Sequence, residues 1–458
     1  MGVRYDNAWA RFPSCSAEQN RIDLLNERSM KVGRRGGQPD GLGGDFLSPR
    51  VGGASRHRRT NDLLVSFDFP PAIGGAHKWL YELYSRWPTP VRVLTAAYSS
   101  DPREATQQTE FDCGIDNSLR ISRRVGVMPH FDALSPKYLA LLWKQCAAVR
   151  ELAEVKGNTG FDSVTIHALR AVPDGIPAWL YCKSNSANAR LVTFVHGEEV
   201  LVSKTSRQLS FLSRKVYEAS DLVIANSENT RKLLMEAFPN VNSVCIHPGV
   251  DSNAFRIPER DRRRYREKFG WPRECVVVLT LARMEPRKNH SMVIRAIAEL
   301  LKEQLPIALV CAGDGPDRAD LEKLADSLGI SQWVKFPGVV PEPEKPQLFA
   351  SADIFAMPSI SVGEMIEGFG IVFVEAAAAG VPTVCGLTGG QQEAIVHGKS
   401  GFAVEGASVD AVAGAIRKLA TDVELRRSFG NEGLKLAEAH DWEVLVQKVR
   451  DEIAGCWR

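Results

Sequence analysis

No apolar run in this chain approaches the roughly 18–20 residues that a membrane-spanning helix needs, and the first residues hold no hydrophobic signal core. We therefore expect a cytoplasmic protein, with peripheral contact to the inner membrane face left open. Neither charge sign predominates: 57 Lys and Arg stand against 55 Asp and Glu, a formal net charge of +2. Nothing in that balance calls for a nucleic-acid partner. The nine cysteines are odd in number and include no C-x-x-C spacing, and several sit in apolar runs such as Val244-Cys245-Ile246. They read as small buried hydrophobes in a reducing compartment, which argues against a disulfide scaffold.

Several catalytic signatures are absent too. Asp-x-Asp does not occur, so a bound diphosphate would be neutralised by Arg, Lys and helix ends, without a divalent metal held by carboxylates. The G-x-G-x-x-G spacing fails at Gly74-Gly75 and again at Gly313-Asp-Gly-Pro316, against a dinucleotide fingerprint. There is no Ser-His-Asp constellation, no zinc spacing and no lysine in a convincing pyridoxal-phosphate context. The expectation is no metal and no prosthetic group.

What is present is length and alternation. A chain of 458 residues exceeds what one core usually fills. Residues 1–62 are rich in Gly and Arg with little periodicity, as in Gly33-Arg-Arg-Gly-Gly37. They read as a disordered extension, or as upstream sequence if translation begins at Met30. From Leu63 onward, short apolar runs alternate with amphipathic segments, the pattern of βαβ units and parallel sheets. Strands fit at Leu63–Phe67, Val91–Leu94, 162–167, 191–196, 221–225 and 243–247, which defines a first domain over 63–255. The Arg-rich stretch Asp251 to Pro272 reads as a junction. A second series starts at Val276 and continues at 307–312, 333–336, 353–356 and 382–385, a second domain over 270–438. The fold class is α/β, two doubly wound Rossmann-like domains. Ligands of such sheets bind beyond the carboxyl ends of the strands, so two facing edges would form a central cleft.

The strand ends carry the candidate residues. Glu367-Gly-Phe-Gly370-Ile371 leads through a turn into an apolar helix that holds Glu375 and stops at Gly380. A helix start suits a phosphate, and carboxylates flanking it suit sugar hydroxyls on either side, the layout of a nucleotide-sugar. The bland alternative is a solvated helix N-terminus, where acids are favoured anyway. After the first strand, Gly74-Gly75 allows backbone N–H groups to approach an anion, or is an ordinary turn. His196 follows the strand Leu191–Val195, either facing a transferred sugar with its ring N–H or its backbone carbonyl, or structural. Arg283, Arg287 and Lys288 lie in a loop entering a helix, either solvated or half of a diphosphate clamp.

Taken in order, Phe69-Pro-Pro-Ala-Ile-Gly-Gly75, His196-Gly-Glu, Asn226-Ser-Glu, Pro248-Gly-Val-Asp251, Arg283 with Lys288, Gly313-Asp-Gly-Pro316, Glu367–Glu375 and Gly389-Gly390 resemble the retaining glycosyltransferases of the GT-B fold known as family 4. The resemblance implies that Arg283 and Lys288 hold the donor diphosphate, that Glu375 accepts from ribose hydroxyls and that Glu367 contacts the donor sugar. It further implies that backbone N–H groups near Gly75, Gly370 and Ile371 bind phosphate, that His196 lies beside the transferred sugar and that Val339 flanks the base. Acceptor-binding residues are not implied. The last helix, within 439–458, would cross back to the first domain. Two departures stand out: Ala282 and Asn289 occupy positions where glycine is usual.

The implied reaction moves a hexosyl unit from a nucleoside-diphosphate sugar to a glycan or lipid-linked acceptor, with retention, the leaving phosphate taking the acceptor's proton. Catalysis would then be positioning and electrostatics. Glu364-Met-Ile-Glu367-Gly-Phe-Gly-Ile resembles bacterial mannosyltransferases that use GDP-mannose, which favours mannose over the alternative, a UDP-hexose. A nucleotide-sugar epimerase and a non-catalytic sensor stay open as other classes. The helix around Lys137–Lys144 and the basic Lys204–Lys215 segment would either rest on an anionic membrane or be a core-facing helix and a solvated one.

Overall fold

Long, uninterrupted apolar runs form the central strands because helices cover both faces of each sheet, which removes the in–out alternation of a one-sided sheet. The run Val276–Leu281 is buried at every position, as is Ile307–Ala312. The structure is a computed structural model that describes residues 60–71, 74–126, 135–154, 162–267, 270 and 274–457. The expectation of a disordered extension therefore lies, for residues 1–59, outside the described residues. Residues 60–62 belong to a strand, three positions earlier than expected.

Among the described residues there are two wholly parallel sheets. The first contains β1 (Thr60–Val65), β2 (Val91–Ala96), β3 (Leu119–Val125), β4 (Ser163–Ala168), β5 (Ala189–Val195), β6 (Leu222–Ala225) and β7 (Ser243–Cys245), ordered 3-2-1-4-5-6-7. The second contains β8 (Val276–Leu281), β9 (Ile307–Ala312), β10 (Val334–Gly338), β11 (Ile354–Met357), β12 (Thr383–Gly386) and β13 (Gly401–Val404), ordered 10-9-8-11-12-13. Each order reverses beside its first strand, β1 or β8, which creates the switch-point crevice where such sheets take ligands. The register is regular in the central pairs, for example Leu63 opposite Ile166 and Val278 opposite Leu309, and shifts in the outer pairs, between Thr95 and Ala96 of β2 and between Lys335 and Gly338 of β10. Apolar clusters lie on both faces of each sheet.

Three differences from the sequence reading have clear causes. The strand β3 carries Arg120, Arg123 and Arg124, and as an edge strand it is mostly half-exposed, so its pattern lacked an apolar signal. The helix Pro102–Gly114 buries no residue and showed no apolar stripe. The Arg-rich junction is itself a helix, Glu259–Glu267, fastened to the second domain: Arg262 and Arg266 both reach Asp353 at 3.1 Å. The charge run is an anchor.

The two domains meet where the chain crosses twice. Val250 N–H donates to His440 O at 2.9 Å, and a Cβ on Gly249 would stand 2.8 Å from the same carbonyl. Beyond that crossing, the helix Trp442–Gly455 packs Trp442, Leu445, Val449 and Ile453 into the core beneath the first sheet.

Candidate active site

The loop after β8 is shaped by backbone constraints before any charge is considered. Gly313 has φ 118°, and a Cβ there would lie 2.0 Å from Ala282 O. The second departure, at Asn289, has a structural reason. Asn289 adopts φ 59°, a left-handed conformation that Asn tolerates better than most residues. Its side chain donates to Pro358 O at 3.0 Å and Gly406 O at 2.8 Å. That clasp fixes the loop carrying the cations.

Charges then chain together. Arg283 Nε lies 3.9 Å from Glu285, Arg287 Nε lies 2.7 Å from the other oxygen of Glu285, and Arg287 Nη1 lies 3.4 Å from Glu367 Oε2. The Lys288 ammonium closes on that same Glu367 oxygen. Burial alone would favour the neutral acid at Glu367, but the Lys288 and Arg287 charges outweigh it and hold the carboxyl below its ordinary range. Arg287, which the sequence reading set beside Arg283 and Lys288 as a candidate cation of the clamp but to which the family resemblance gave no role, joins the cluster.

Glu367 is aimed by glycines. A Cβ on Gly368 would meet His196 O at 2.3 Å, and one on Gly390 would meet Gly368 O at 2.0 Å. Gly390 N–H donates to Glu367 O at 2.9 Å. Segments from both domains thus touch backbone to backbone here. Gly370, at φ 85°, starts the helix Ile371–Ala378, and a Cβ would clash with the Phe373 ring at 2.7 Å. Glu375 lies in the second turn and is 1% exposed.

His196 is brought beside Glu367, but its ring is committed elsewhere. Its Nε2 lies 3.0 Å from Leu169 O, and because a carbonyl only accepts, that nitrogen carries the proton. Burial, with the nearby Arg170 charge, drives the imidazole down to about 3, so it is neutral at physiological pH. Of the two groups that the sequence reading offered a sugar, the ring N–H is therefore spent. What His196 offers the cleft is its backbone carbonyl, which also accepts from Asn226 Nδ2 at 3.2 Å.

Gly75 begins the helix Gly75–Ser85 with open space around its Cα, whereas a Cβ on Gly74 would press on His77 at 2.9 Å. One turn on, Lys78 crosses to the second domain, 2.5 Å from Glu375 Oε1 and 2.7 Å from Glu342 Oε2. Sequence reasoning missed Lys78 and Glu342, because neither lies in a motif and the pair exists only across the cleft. Val339, three residues before Glu342, is 55% exposed.

Among the described residues one group could gather round a metal: Cys245, His247 and Glu393. Glu393 is already committed. It accepts from the backbone N–H groups of Glu228 at 2.6 Å and Asn229 at 2.8 Å, and it lies 3.0 Å from His247 Nε2. It acts as an N-terminal cap for the helix Glu228–Ala237, delivered from the other domain. No helix among the described residues is long and apolar enough to cross a membrane.

Residues 73–254 match the family described as Glycosyltransferase Family 4, and residues 261–436 match Glycosyl transferases group 1. A GDP-mannose-dependent alpha-(1-6)-phosphatidylinositol monomannoside mannosyltransferase of Mycobacterium tuberculosis is 31% identical over 398 residues, spanning 86% of this chain and 98% of that protein. The Mycolicibacterium smegmatis protein of the same name is 37% identical over 270 residues, 58% of this chain and 70% of that one. A crystal structure of Anabaena Alr3699/HepE in complex with UDP and glucose superposes with a TM-score of 0.69 at 20% identity, covering 87% of this chain and all of that one. WaaG, a glycosyltransferase involved in lipopolysaccharide biosynthesis, gives 0.63 at 18%, over 86% of this chain and all of that one. These two structures establish the GT-B fold.

Proposed function

The chain belongs to the group 1, family 4 glycosyltransferases, and from that membership we propose that it transfers a mannosyl unit from GDP-mannose, with retention, to a hydroxyl of an inositol-containing glycolipid. The observation that carries the donor and acceptor is the 31% identity over 98% of the mycobacterial relative, whose name gives both. In this reading Arg283 and Lys288 hold the donor diphosphate, joined by Arg287. Glu375 accepts from the ribose, and Glu367, aimed by its glycine contacts, accepts from the mannose hydroxyls. The backbone N–H groups at Gly75, Gly370 and Ile371 complete the phosphate site, and Val339 borders the base. The carbonyl of His196 replaces its ring as the group beside the sugar.

The chemistry follows from that placement. As the bond from the anomeric carbon to phosphate oxygen breaks, negative charge grows on the departing GDP, and three buried or half-buried cations stand where it grows. The acceptor hydroxyl bonds to the anomeric carbon on the same face and passes its proton to the leaving phosphate. No metal is needed in this scheme, and a chelator should leave turnover unchanged. Loss of activity with EDTA, restored by Mg²⁺ or Mn²⁺, would refute that part.

A lipid acceptor implies a surface to reach it from. Trp143 is 72% exposed on the helix Pro136–Ala153 and Phe211 is exposed on the helix Arg207–Ala219, with Lys137, Lys144, Arg207 and Lys215 exposed on the same two helices. Both helices cover one face of the first sheet. Aromatic tips among lysines suit an anionic lipid surface, which supports peripheral association.

The test is thermal stabilisation by GDP, UDP, ADP and their hexose conjugates, followed by transfer from labelled GDP-mannose to phosphatidylinositol mannoside in vesicles. A GDP-selective shift and labelled glycolipid are expected. A UDP-selective shift would redirect the donor to UDP-hexose, and interconversion of nucleotide sugars without acceptor would point to an epimerase.

A further inference from the structure

The role of Lys78 is not accounted for by the clamp. It sits in the first domain, yet both its partners, Glu375 and Glu342, belong to the second. Burial works against the ammonium, but these two carboxylates more than restore it and hold the lysine above its ordinary value. The partnered oxygen of Glu375 is Oε1. Its Oε2 is buried with no hydrogen-bond partner, a condition that costs about 1–3 kcal/mol when nothing fills it. A carboxylate with one oxygen pinned by a fixed cation and the other open can only take further donors, and vicinal hydroxyls are such donors. Lys78, Glu342 and Glu375 line one cavity of about 350 Å³ with Val250, Phe255 and Trp442 at the chain crossing, within the size range of small-ligand sites.

We propose that Lys78 is a positioning residue of the donor site: it stays on Glu375 Oε1 and holds that carboxylate in the orientation in which Oε2 receives the ribose hydroxyls of the nucleoside diphosphate. This rests on the assignment of Glu375 to the donor ribose. Because the lysine and the carboxylate come from different domains, the ribose contact is complete only in the closed cleft. Donor binding and closure are then one event, and the first domain senses the ribose through a side chain that touches neither phosphate nor sugar.

The experiment compares GDP with 2′,3′-dideoxy-GDP by calorimetry on the full chain, in wild type, Lys78→Met and Lys78→Arg. Wild type should prefer GDP. Lys78→Met should weaken GDP about tenfold and the dideoxy compound less than twofold, and Lys78→Arg should recover most of the loss, since it keeps a cation on Oε1. An equal penalty on both ligands would make Lys78 a general electrostatic contributor, and no penalty on GDP would make it a bystander. Either result overturns the proposal. If wild type bound GDP and its dideoxy analogue alike, the assignment of Glu375 to ribose would fall first, distinguishing that failure from failure of Lys78 alone. Should Lys78→Met melt early, Glu342→Gln supplies the independent check, because it leaves Lys78 on Glu375 and should preserve the preference for GDP.

Discussion

Glu285 and Glu367 are two carboxylates set among three cations, Arg283, Arg287 and Lys288. Glu198 also faces Arg287, so what the cluster offers a diphosphate is the donor capacity of three convergent cations more than a net excess of charge. Lys288→Ala and Arg287→Ala should each lower kcat by about 10²–10³-fold, the range for removing one group that stabilises developing charge. Near-wild-type turnover would remove that residue from the clamp. Arg283, Arg287, Lys288, Glu367 and Glu375 were legible as candidates from the motifs, whereas Lys78 looked like an ordinary helix surface residue. His196 was legible as a residue at a strand end but not in its chemistry, because only the packed structure reveals Leu169 O within reach of the ring. His290 yields a different prediction. It is 2% exposed, neither ring nitrogen has a partner, and burial beside Lys288 depresses it to about 4. The unfolded chain binds a proton near pH 6.5 and the folded chain does not, so this residue's stability contribution is intact at pH 7 and declines as pH falls from about 6.5 toward 4. By pH 5 the loss should be about 2 kcal/mol, read as the difference in urea stability between wild type and His290→Leu. Parallel pH profiles for the two proteins would contradict it.

At the scale of elements, the glycines separate into those that space the chain and those that let two segments touch. Gly390→Ala would push a methyl into Gly368 O, a backbone atom with no rotamer to yield. It should cost several kcal/mol of stability or of donor affinity, visible as a lower melting point or a raised KM. Gly414 lies inside the helix Val409–Thr421 with nothing within 4 Å of an added Cβ. There Ala should stabilise by about 0.5–1 kcal/mol, and a melting point that fell instead would refute the contrast. The central elements were legible because fully buried parallel strands spell themselves in Val, Ile and Leu, as β8 does. The strand β3 and the helix Pro102–Gly114 were not, because an edge strand rich in arginine and a helix that buries no side chain have no apolar period to display. The helix Glu259–Glu267 was hidden for the converse reason: its arginines bind Asp353, and a sequence does not say whether a charge run is paired.

For the whole molecule, one contact that bridges the cleft is Glu393, which caps a helix of the opposite domain and meets His247. Loss of an N-cap ordinarily costs about 0.5–2 kcal/mol, but here the cap sits on another body, so Glu393→Ala should weaken closure more than it weakens the helix. A larger radius of gyration by small-angle scattering, reversed by a saturating donor nucleotide, is the expected outcome; an unchanged radius would mean that the cap does not hold the domains. The composition, the alternation of apolar runs and the ordered set of motifs were enough for the α/β class, the two sheets and the family, because burial patterns and strand-end positions are local properties written along the chain. The pairing of Lys78 with Glu375, the sharing of Glu367 by Lys288 and Arg287, the spent ring of His196 and the cap from Glu393 were not readable that way. Each joins residues from 27 to 297 positions apart: the His196 and Glu367 contacts exist only once each sheet has brought its own strand ends together, and the Lys78 and Glu393 contacts only once the two domains are docked by a chain that crosses between them twice.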